Sequence, residues 1–383
     1  MLLRSILFTG AVQGLFQILV LHSKNKNHPA DYWLMGWLSL VSMQLLFYYN
    51  SASADPLFTG VAGIIAFSIP LLSAPVLFQY IRSISSGKKP EKLTVGIYLL
   101  PWVMYLAITI TISLLYPSGI LVNAGYPHFT KDITALAICF FTYPLALLPG
   151  VYAILGLVVL LRYQKSLPDK YSYTEQINLN WLKWLVVSIL VLFVFLFMFI
   201  RFGIQIQLVS YDTLFLYVGA VLSIYVFLIG YLGMRQNTLL LAGEKEHSVE
   251  IDVNQSVPYQ KTGLSASSVD EMYVRLLDHM QKERPYLRDD LSLAMLAQEM
   301  ELNTNQLSQV INQKSQRNFF SFVNSYRVEA VKSKLVDGSF SHLSILGMAY
   351  DCGFRSKSAF NRIFREHTGM SPVEFQKQHL SQD

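Results

Sequence analysis

Long apolar runs fill the first 240 residues, and short apolar faces at helical spacing fill the rest. A helix needs about 20 mostly apolar residues to cross a bilayer. Seven segments approach that length, roughly 6–22, 33–49, 57–81, 93–115, 133–161, 182–200 and 213–234. The pattern predicts seven spanning helices. The fifth is the longest and holds Pro144 and Pro149, which predicts a kink or a tilt. The run after Arg4 reads as the first span rather than a cleaved leader. No small-x-small cleavage site follows it, and "HSKNKNH" comes next.

The loops between these runs alternate in charge. Lys24 and Lys26 sit in the first, Arg82, Lys88, Lys89 and Lys92 in the third, and Arg162, Lys165, Lys170 and Lys183 in the fifth. Arg235 follows the last run. The other side holds only Arg4, Lys131 and Arg201. Basic loops stay on the cytoplasmic side, which predicts an outside N-terminus and a cytoplasmic C-terminus. Trp33, Trp37, Trp181 and Trp184 fall near the expected inner ends, where an aromatic belt lies. Inside the runs the main polar side chains are Gln13, Gln17, Gln44 and Gln79, with Arg201 and Asp212 near the outer ends. Ion-coupled transporters place charges mid-membrane, so this poverty argues against transport. The glutamines fit interhelical hydrogen bonds or, alternatively, a ligand pocket. The longest outer loop, "YPSGILVNAGYPHFTK", leaves no room for a folded outer domain.

Composition sharpens the division. Residues 1–240 carry 14 Lys/Arg and 7 Asp/Glu, whereas residues 241–383 carry 16 and 18. The second stretch reads as a soluble domain with its own core. Residues 236–268 are polar, with Pro258 and Gly263, and read as a connector. A helix follows, with Met272, Leu276, Leu277 and Met280 on one face and Ser268 as its expected cap. That face serves either its own domain or a dimer. Cys139 and Cys352 are too differently placed for a disulfide or a metal site, and both read as small buried hydrophobes.

The segment "SHLSILGMAYDCGFRSKSAFNRIFREHTGMSPVE" then reads as a helix-turn-helix. Ala349 precedes Gly353 by four residues; the small residue permits close approach and the glycine takes a positive φ. Ser356 caps a second helix with Phe360, Ile363 and Phe364 on its apolar face. Gly369 ends that helix, and Ser371 with Glu374 forms a capping box for the next. Upstream, "LSLAMLAQEM" and "NQLSQVINQK" repeat the layout, with Leu307, Val310 and Ile311 apolar. Between the two, "NFFSFVNSYRVEAVKSKLVDG" predicts a long helix with Phe319, Phe322, Val323, Tyr326 and Val331 inward.

These stretches, over residues of about 270 to 380, resemble the DNA-binding domain of the AraC/XylS family. The pattern GF…F…F…TG.SP is specific to it. The resemblance implies two helix-turn-helix units on one shared helix, with two recognition helices in successive major grooves. It further implies an N-terminal sensor, here the apolar runs, as in membrane-anchored members. Two departures stand out. Glu301 occupies the turn position usually held by glycine, which predicts a shifted turn, and Gly347 lies inside a helix.

The expected architecture is therefore all-α: a transmembrane bundle of seven helices over 1–235, a linker over 236–268, and a double helix-turn-helix domain over 269–383. The expected DNA contacts are Asn305, Gln306, Gln309 and Asn312 in the first unit and Arg355, Ser356, Lys357, Ser358, Asn361, Arg362 and Arg365 in the second. Amides read adenine; arginine and lysine meet phosphates or guanine. Residues 314–377 carry ten basic and five acidic side chains, against six and twelve over 244–301, so the second unit carries the positive charge. The function expected is a one-component transcriptional regulator in the inner membrane, multi-pass, with a cytoplasmic C-terminus. Its expected partners are double-stranded DNA, membrane lipid, a second copy as a homodimer, a small-molecule or membrane-derived signal, and RNA polymerase. No metal or cofactor is expected. No kinase nucleotide box, receiver acid pocket or Gly-rich phosphate loop occurs, and His279, His342, His367 and His379 lack partners at catalytic spacing, so no enzyme is expected. The competing reading is a membrane binding or transport protein whose tail serves protein interaction.

Overall fold

The computed structural model describes residues 2–24, 27–51, 60–86, 92–115, 120–123, 126–129, 135–175, 177–198, 211–245, 266–340 and 342–380. The chain divides into two compact units: Met1–Arg162 with Leu179–Glu244, and Tyr163–Asn178 with Lys245–Asp383.

The first unit holds α1 (Leu2–His22), α2 (Pro29–Ser51), α3 (Gly60–Phe67), α4 (Ile69–Ser86), α5 (Lys92–Leu115), α6 (Ala135–Lys170), α7 (Asn180–Met198) and α8 (Tyr211–Lys245). The last turns of α6 belong to the second unit. Among the described residues all seven apolar segments are largely helical, and four helices are long and apolar enough to span a membrane. They are Leu2–His22, Val95–Leu115, Tyr143–Lys170 and Leu216–Arg235. The remaining three fall short for different reasons. Ser39, Ser42, Gln44 and Asn50 dilute α2. The third segment breaks at Ser68 into α3 and α4, two residues before Pro70, which has no N–H to donate to the preceding turn. In α7, a helix of Asn180–Met198, the described apolar run is Asn180–Phe195. The break falls there and not at Pro144 and Pro149, through which α6 runs unbroken. One hairpin departs from the all-α expectation: β1 (Ile120–Asn123) pairs antiparallel with β2 (Tyr126–Phe129), Ile120 opposite Phe129.

In this unit a few polar side chains are buried within an apolar interior, while many large apolar side chains face outward. Gln17, Ser42, Gln44 and Gln79 are buried, and Gln13 is half-buried. Phe8, Phe16, Leu19, Val103, Val191, Phe195 and Phe227 point outward. Small residues set the close packing. A Cβ on Gly14 would lie 2.2 Å from Ser42 Oγ, and one on Gly230 would lie 1.8 Å from Gln17 Oε1. Trp37 is buried rather than at a surface belt, while Trp184 is exposed. Arg201 and Lys131, and the side chains of Asp212 and Cys139, lie outside the described residues.

The second unit holds α9 (Ala266–Lys282), a 3-10 turn at Pro285–Leu287, α10 (Leu293–Glu299), α11 (Thr304–Ser315), α12 (Phe319–Val336), α13 (Ile345–Asp351), α14 (Lys357–Thr368) and α15 (Pro372–Leu380). Two boundaries differ from expectation. Residues 236–245 continue α8, and α9 begins at Ala266, which places Ser268 within its first turn. Leu276 and Met280 of α9 enter the core of their own unit, with Leu296, Leu307, Phe322 and Val323. A second core joins Val331 and Leu335 to Ala349, Cys352, Phe360 and Phe364. α12 contributes to both. Side chains of Ser292, Asn303, Asn318, Ser344 and Ser356 accept the N–H three residues on, each worth about 1 kcal/mol of helix stability. Ser371 and Glu374 complete their capping box, Ser371 N–H to Glu374 Oε2 at 2.7 Å and Glu374 N–H to Ser371 Oγ at 3.3 Å. The Ser371 bonds hold the Glu374 carboxyl below the usual range. Gly347 is a first-turn residue whose N–H donates to Ser344 Oγ (3.0 Å), a milder position than a helix interior.

Gly353 has φ +86°, and a Cβ there would sit 2.4 Å from Tyr286 O. Gly353→Ala is expected to destabilise this unit by about 2 kcal/mol or more, from left-handed strain plus overpacking. Exposed Glu301 has φ +56°, so Glu301→Gly is expected to be neutral or stabilising by up to about 1 kcal/mol. Urea unfolding followed by protease resistance of the C-terminal segment checks both; equal effects of the two substitutions would contradict the argument.

Candidate nucleic-acid interface

The two turns superpose in their bonding. In the first, Met300 N–H donates to Leu296 O (3.1 Å) and Leu302 N–H to Ala297 O (2.9 Å). In the second, Cys352 N–H donates to Met348 O (3.1 Å) and Phe354 N–H to Ala349 O (3.1 Å). Both small residues are buried, Ala297 and Ala349. Glu301 therefore does not shift its turn; it adopts the left-handed conformation that Gly353 adopts in the other. It can do so because its side chain is in solvent, whereas Gly353 is wedged against Tyr286 O, Leu287 O and Arg327 Nε.

α14 is built by its apolar side. Phe354, Phe360, Phe364 and Phe375 form a run of tilted and edge-on rings, with centroids 5.2, 5.6 and 5.6 Å apart. That run turns Lys357, Ser358, Asn361, Arg362 and Arg365 outward, all exposed. Lys357, Asn361 and Arg365 recur at i, i+4 and i+8, with Ser358 and Arg362 beside them, so they share one face. Arg362 Nη1 donates to Glu366 Oε1 (3.0 Å). Ser356 caps the helix by accepting the Ala359 N–H (3.1 Å). Arg355 is half-buried; its Nε lies 3.3 Å from Asp289 Oδ2 without hydrogen-bond alignment, and its guanidinium stands 4.0 Å from the Tyr173 ring centroid.

α11 is less open. Asn305 and Asn312 are exposed, the latter donating to Ser308 Oγ (3.4 Å). Gln309 is half-buried. The Gln306 carbonyl is engaged in the capping box, accepting the Asn303 N–H at 3.1 Å. Of its two groups only the amide N–H₂ is left to face a base. Lys314, the one cation of α11, pairs with Asp270 of α9.

Three residues outside the expected set organise this region. Arg327 of α12 is 1 % exposed. Its Nε donates to Tyr286 O (2.8 Å), Nη1 to Ser172 O (3.1 Å) and Nη2 to Ser172 Oγ (3.0 Å) and Arg288 O (2.6 Å). Burial pulls the guanidinium down to about 10, opposed by the nearby Asp289 charge, so it stays ionised at neutral pH. Glu175 accepts hydrogen bonds from the hydroxyls of Ser356 and Ser358, the latter at 3.0 Å. Tyr173 is raised by burial, with the Arg355 charge acting the other way. Spacing did carry a sign of Arg327: it lies four residues from both Val323 and Val331, on the core face. Nothing in the sequence marks Ser172, Tyr173 or Glu175.

The histidines take local partners. His279 Nε2 is 3.0 Å from Glu299 Oε2, and His379 Nδ1 is 2.9 Å from Phe375 O. Among the described residues no group of three or more His, Cys, Asp or Glu is arranged to hold a metal ion.

Two capped helix-turn-helix units sharing one central helix define a DNA-binding class of domain. Residues 296–378 match the family model described as "Helix-turn-helix domain", which is of the AraC type. No curated protein matches the chain. A solved structure of a protein of unknown function from Listeria innocua is similar over 28 % of this chain and 95 % of its own, at 24 % identity and a TM-score of 0.25, a score too low to bear on function.

Arg327→Leu is expected to cost about 3–5 kcal/mol, because it strands the buried Ser172 O and Oγ and removes the donor to Tyr286 O and Arg288 O. Arg327→Lys is expected to recover only part of that, since one ammonium cannot fork to both sides. Thermal unfolding of the C-terminal unit measures it, and a loss below 1 kcal/mol for the leucine variant would refute the hub.

Proposed function

We propose that this protein is a membrane-bound one-component transcriptional regulator: the apolar unit senses a signal and the C-terminal unit binds double-stranded DNA sequence-specifically. The observation that carries the reading is the matched pair of turns, each presenting a capped second helix with a polar outer face. On α14, Lys357, Arg362 and Arg365 take phosphates or guanine edges, Asn361 reads a base, and Ser356 and Ser358 donate to phosphate. Arg355 joins them from the turn. On α11, Asn305, Gln309, Asn312 and the Gln306 N–H₂ supply amide contacts. With so little free charge on α11, a homodimer on repeated sites supplies the remaining affinity. The match to an AraC-type domain supports this class, and regulators of this class act on RNA polymerase at promoters.

The membrane reading rests on four helices of spanning length and on the large apolar side chains that the first unit turns outward. We read all seven apolar segments as crossing the inner membrane, with the N-terminus outside and the C-terminus cytoplasmic, from the alternation of basic loops. Ligand capture falls to the bundle interior, where buried amides of Gln17, Gln44 and Gln79 lie, or to the lipid.

The purified full-length protein in nanodiscs is expected to bind promoter fragments with an affinity that falls steeply with salt. Arg365→Ala is expected to weaken binding about tenfold on all sequences and to reduce the salt slope by about 1, whereas Asn361→Ala relaxes preference at one position by about 1–3 kcal/mol. Binding without sequence preference would favour a protein-interaction role for this domain. Reporter fusions check the topology: a fusion after Asn50 is expected to be active outside and one after Arg235 in the cytoplasm. An active cytoplasmic reporter after Asn50 would break the orientation.

A further inference from the structure

Residues 171–178, between α6 and α7, belong to the C-terminal unit, and 171–175 make contacts more than a hundred positions away. Tyr171 forms an antiparallel bridge with Ser292, and Ser172 N–H donates to Leu291 O (3.2 Å). Ser172 Oγ donates to Leu291 O (2.7 Å), while Ser172 O accepts from Asn324 Nδ2 and Arg327 Nη1, each at 3.1 Å. Ser172, Asn324 and Arg327 are each 1 % exposed, so this end of the segment is dry. Two residues on, the Tyr173 ring lies against the Arg355 guanidinium. At the far end the Glu175 carboxylate accepts hydrogen bonds from the hydroxyls of Ser356 and Ser358. That end is only half-buried.

These partners of Glu175 are the groups at the N-terminus of α14 that a DNA phosphate would use. Hydroxyl donors, a helix start with its partial positive charge and an adjacent arginine suit any oxyanion. A carboxylate and a phosphate cannot share them, by volume or by charge. Resting on the DNA-binding reading above, we propose that segment 171–175 is a built-in competitor of DNA, anchored at Ser172 and latched through Glu175 onto the start of α14. Binding requires the latch to open while the anchor holds. The contrast in burial supports the division: hydrogen bonds sealed from water are costly to break, and those at a wet edge exchange for water easily. Because the segment is continuous with α6 and α7, a change in that helix pair has a direct covalent route to the latch.

Removing any acid near DNA raises affinity by charge alone, so the test keeps charge constant. In full-length protein in nanodiscs, the pair Glu175→Cys and Ser358→Cys is joined by a short, reductant-cleavable bis-methanethiosulfonate linker, with each single-cysteine variant as control. The linked form is expected to bind promoter DNA roughly tenfold more weakly than the same protein after reduction. Tyr173→Ala, which leaves net charge unchanged, is expected to bind roughly threefold or more tighter than wild type. Failure to link overturns the docking; linking with equal affinity before and after reduction overturns the competition. Absence of salt-dependent DNA binding in wild type, reduced and Tyr173→Ala proteins alike overturns the DNA reading itself, and linking then still reports the docked segment.

Discussion

One buried cation holds the C-terminal unit together. Arg327 reaches the carbonyls of Tyr286 and Arg288, the carbonyl and hydroxyl of Ser172, and Asn324 Oδ1 at 3.3 Å. An isolated charge in such a place would be prohibitive. Here neutral acceptors from three segments surround it, and a planar fork meets them with little loss of its own freedom. The same plane fixes Gly353, since a side chain there would press to 2.9 Å from Arg327 Nε. The turn of the second unit, the 3-10 turn before α10 and the 171–175 segment are thus referred to a single group on α12.

α12 carries that group between two cores. Phe319, Phe322 and Val323 belong to the first, and Val328, Val331 and Leu335 to the second. A helix whose ends are buried in different clusters ties the two helix-turn-helix motifs of this unit together. α11 and α14 cannot then drift apart without unpacking it, which is what reading two sites at fixed spacing requires. The apolar face of α9 is spent on the first core, so a dimer would have to use some other surface.

Much of this was legible. Caps at Ser356 and Ser371, the positive φ of Gly353 and Gly369, and the inward sets Phe360/Ile363/Phe364 and Leu307/Val310/Ile311 follow from local rules that act within a turn or two. Glu301 was misjudged because its residue type was weighed without its exposure: strain at a solvent-facing turn is small enough for bonding on both sides to override. Among the described residues four helices, not clearly seven, reach membrane length and apolarity, because Pro70 follows the break in the third segment and serines and amides dilute α2. The 171–175 segment was invisible for a different reason. Its contacts are single polar bonds across more than 110 residues, with no period, and its neighbourhood read simply as a basic loop.

Charge explains why such a segment would act where it does. α11 has one lysine, and Asp270 already holds it. α14 and the turn before it present Arg355, Lys357, Arg362 and Arg365, so on the DNA reading most counterion release belongs to this helix. An acid docked against α11 would compete for little. Docked at the start of α14, Glu175 occupies the donors that would otherwise seat the first phosphate. Serine is suited to the exchange. The Ser356 oxygen keeps the Ala359 N–H and thus the helix cap, while its proton is free to turn to either oxyanion. The helix is therefore already formed in the latched state, and opening the latch exposes a finished surface rather than one that must still fold.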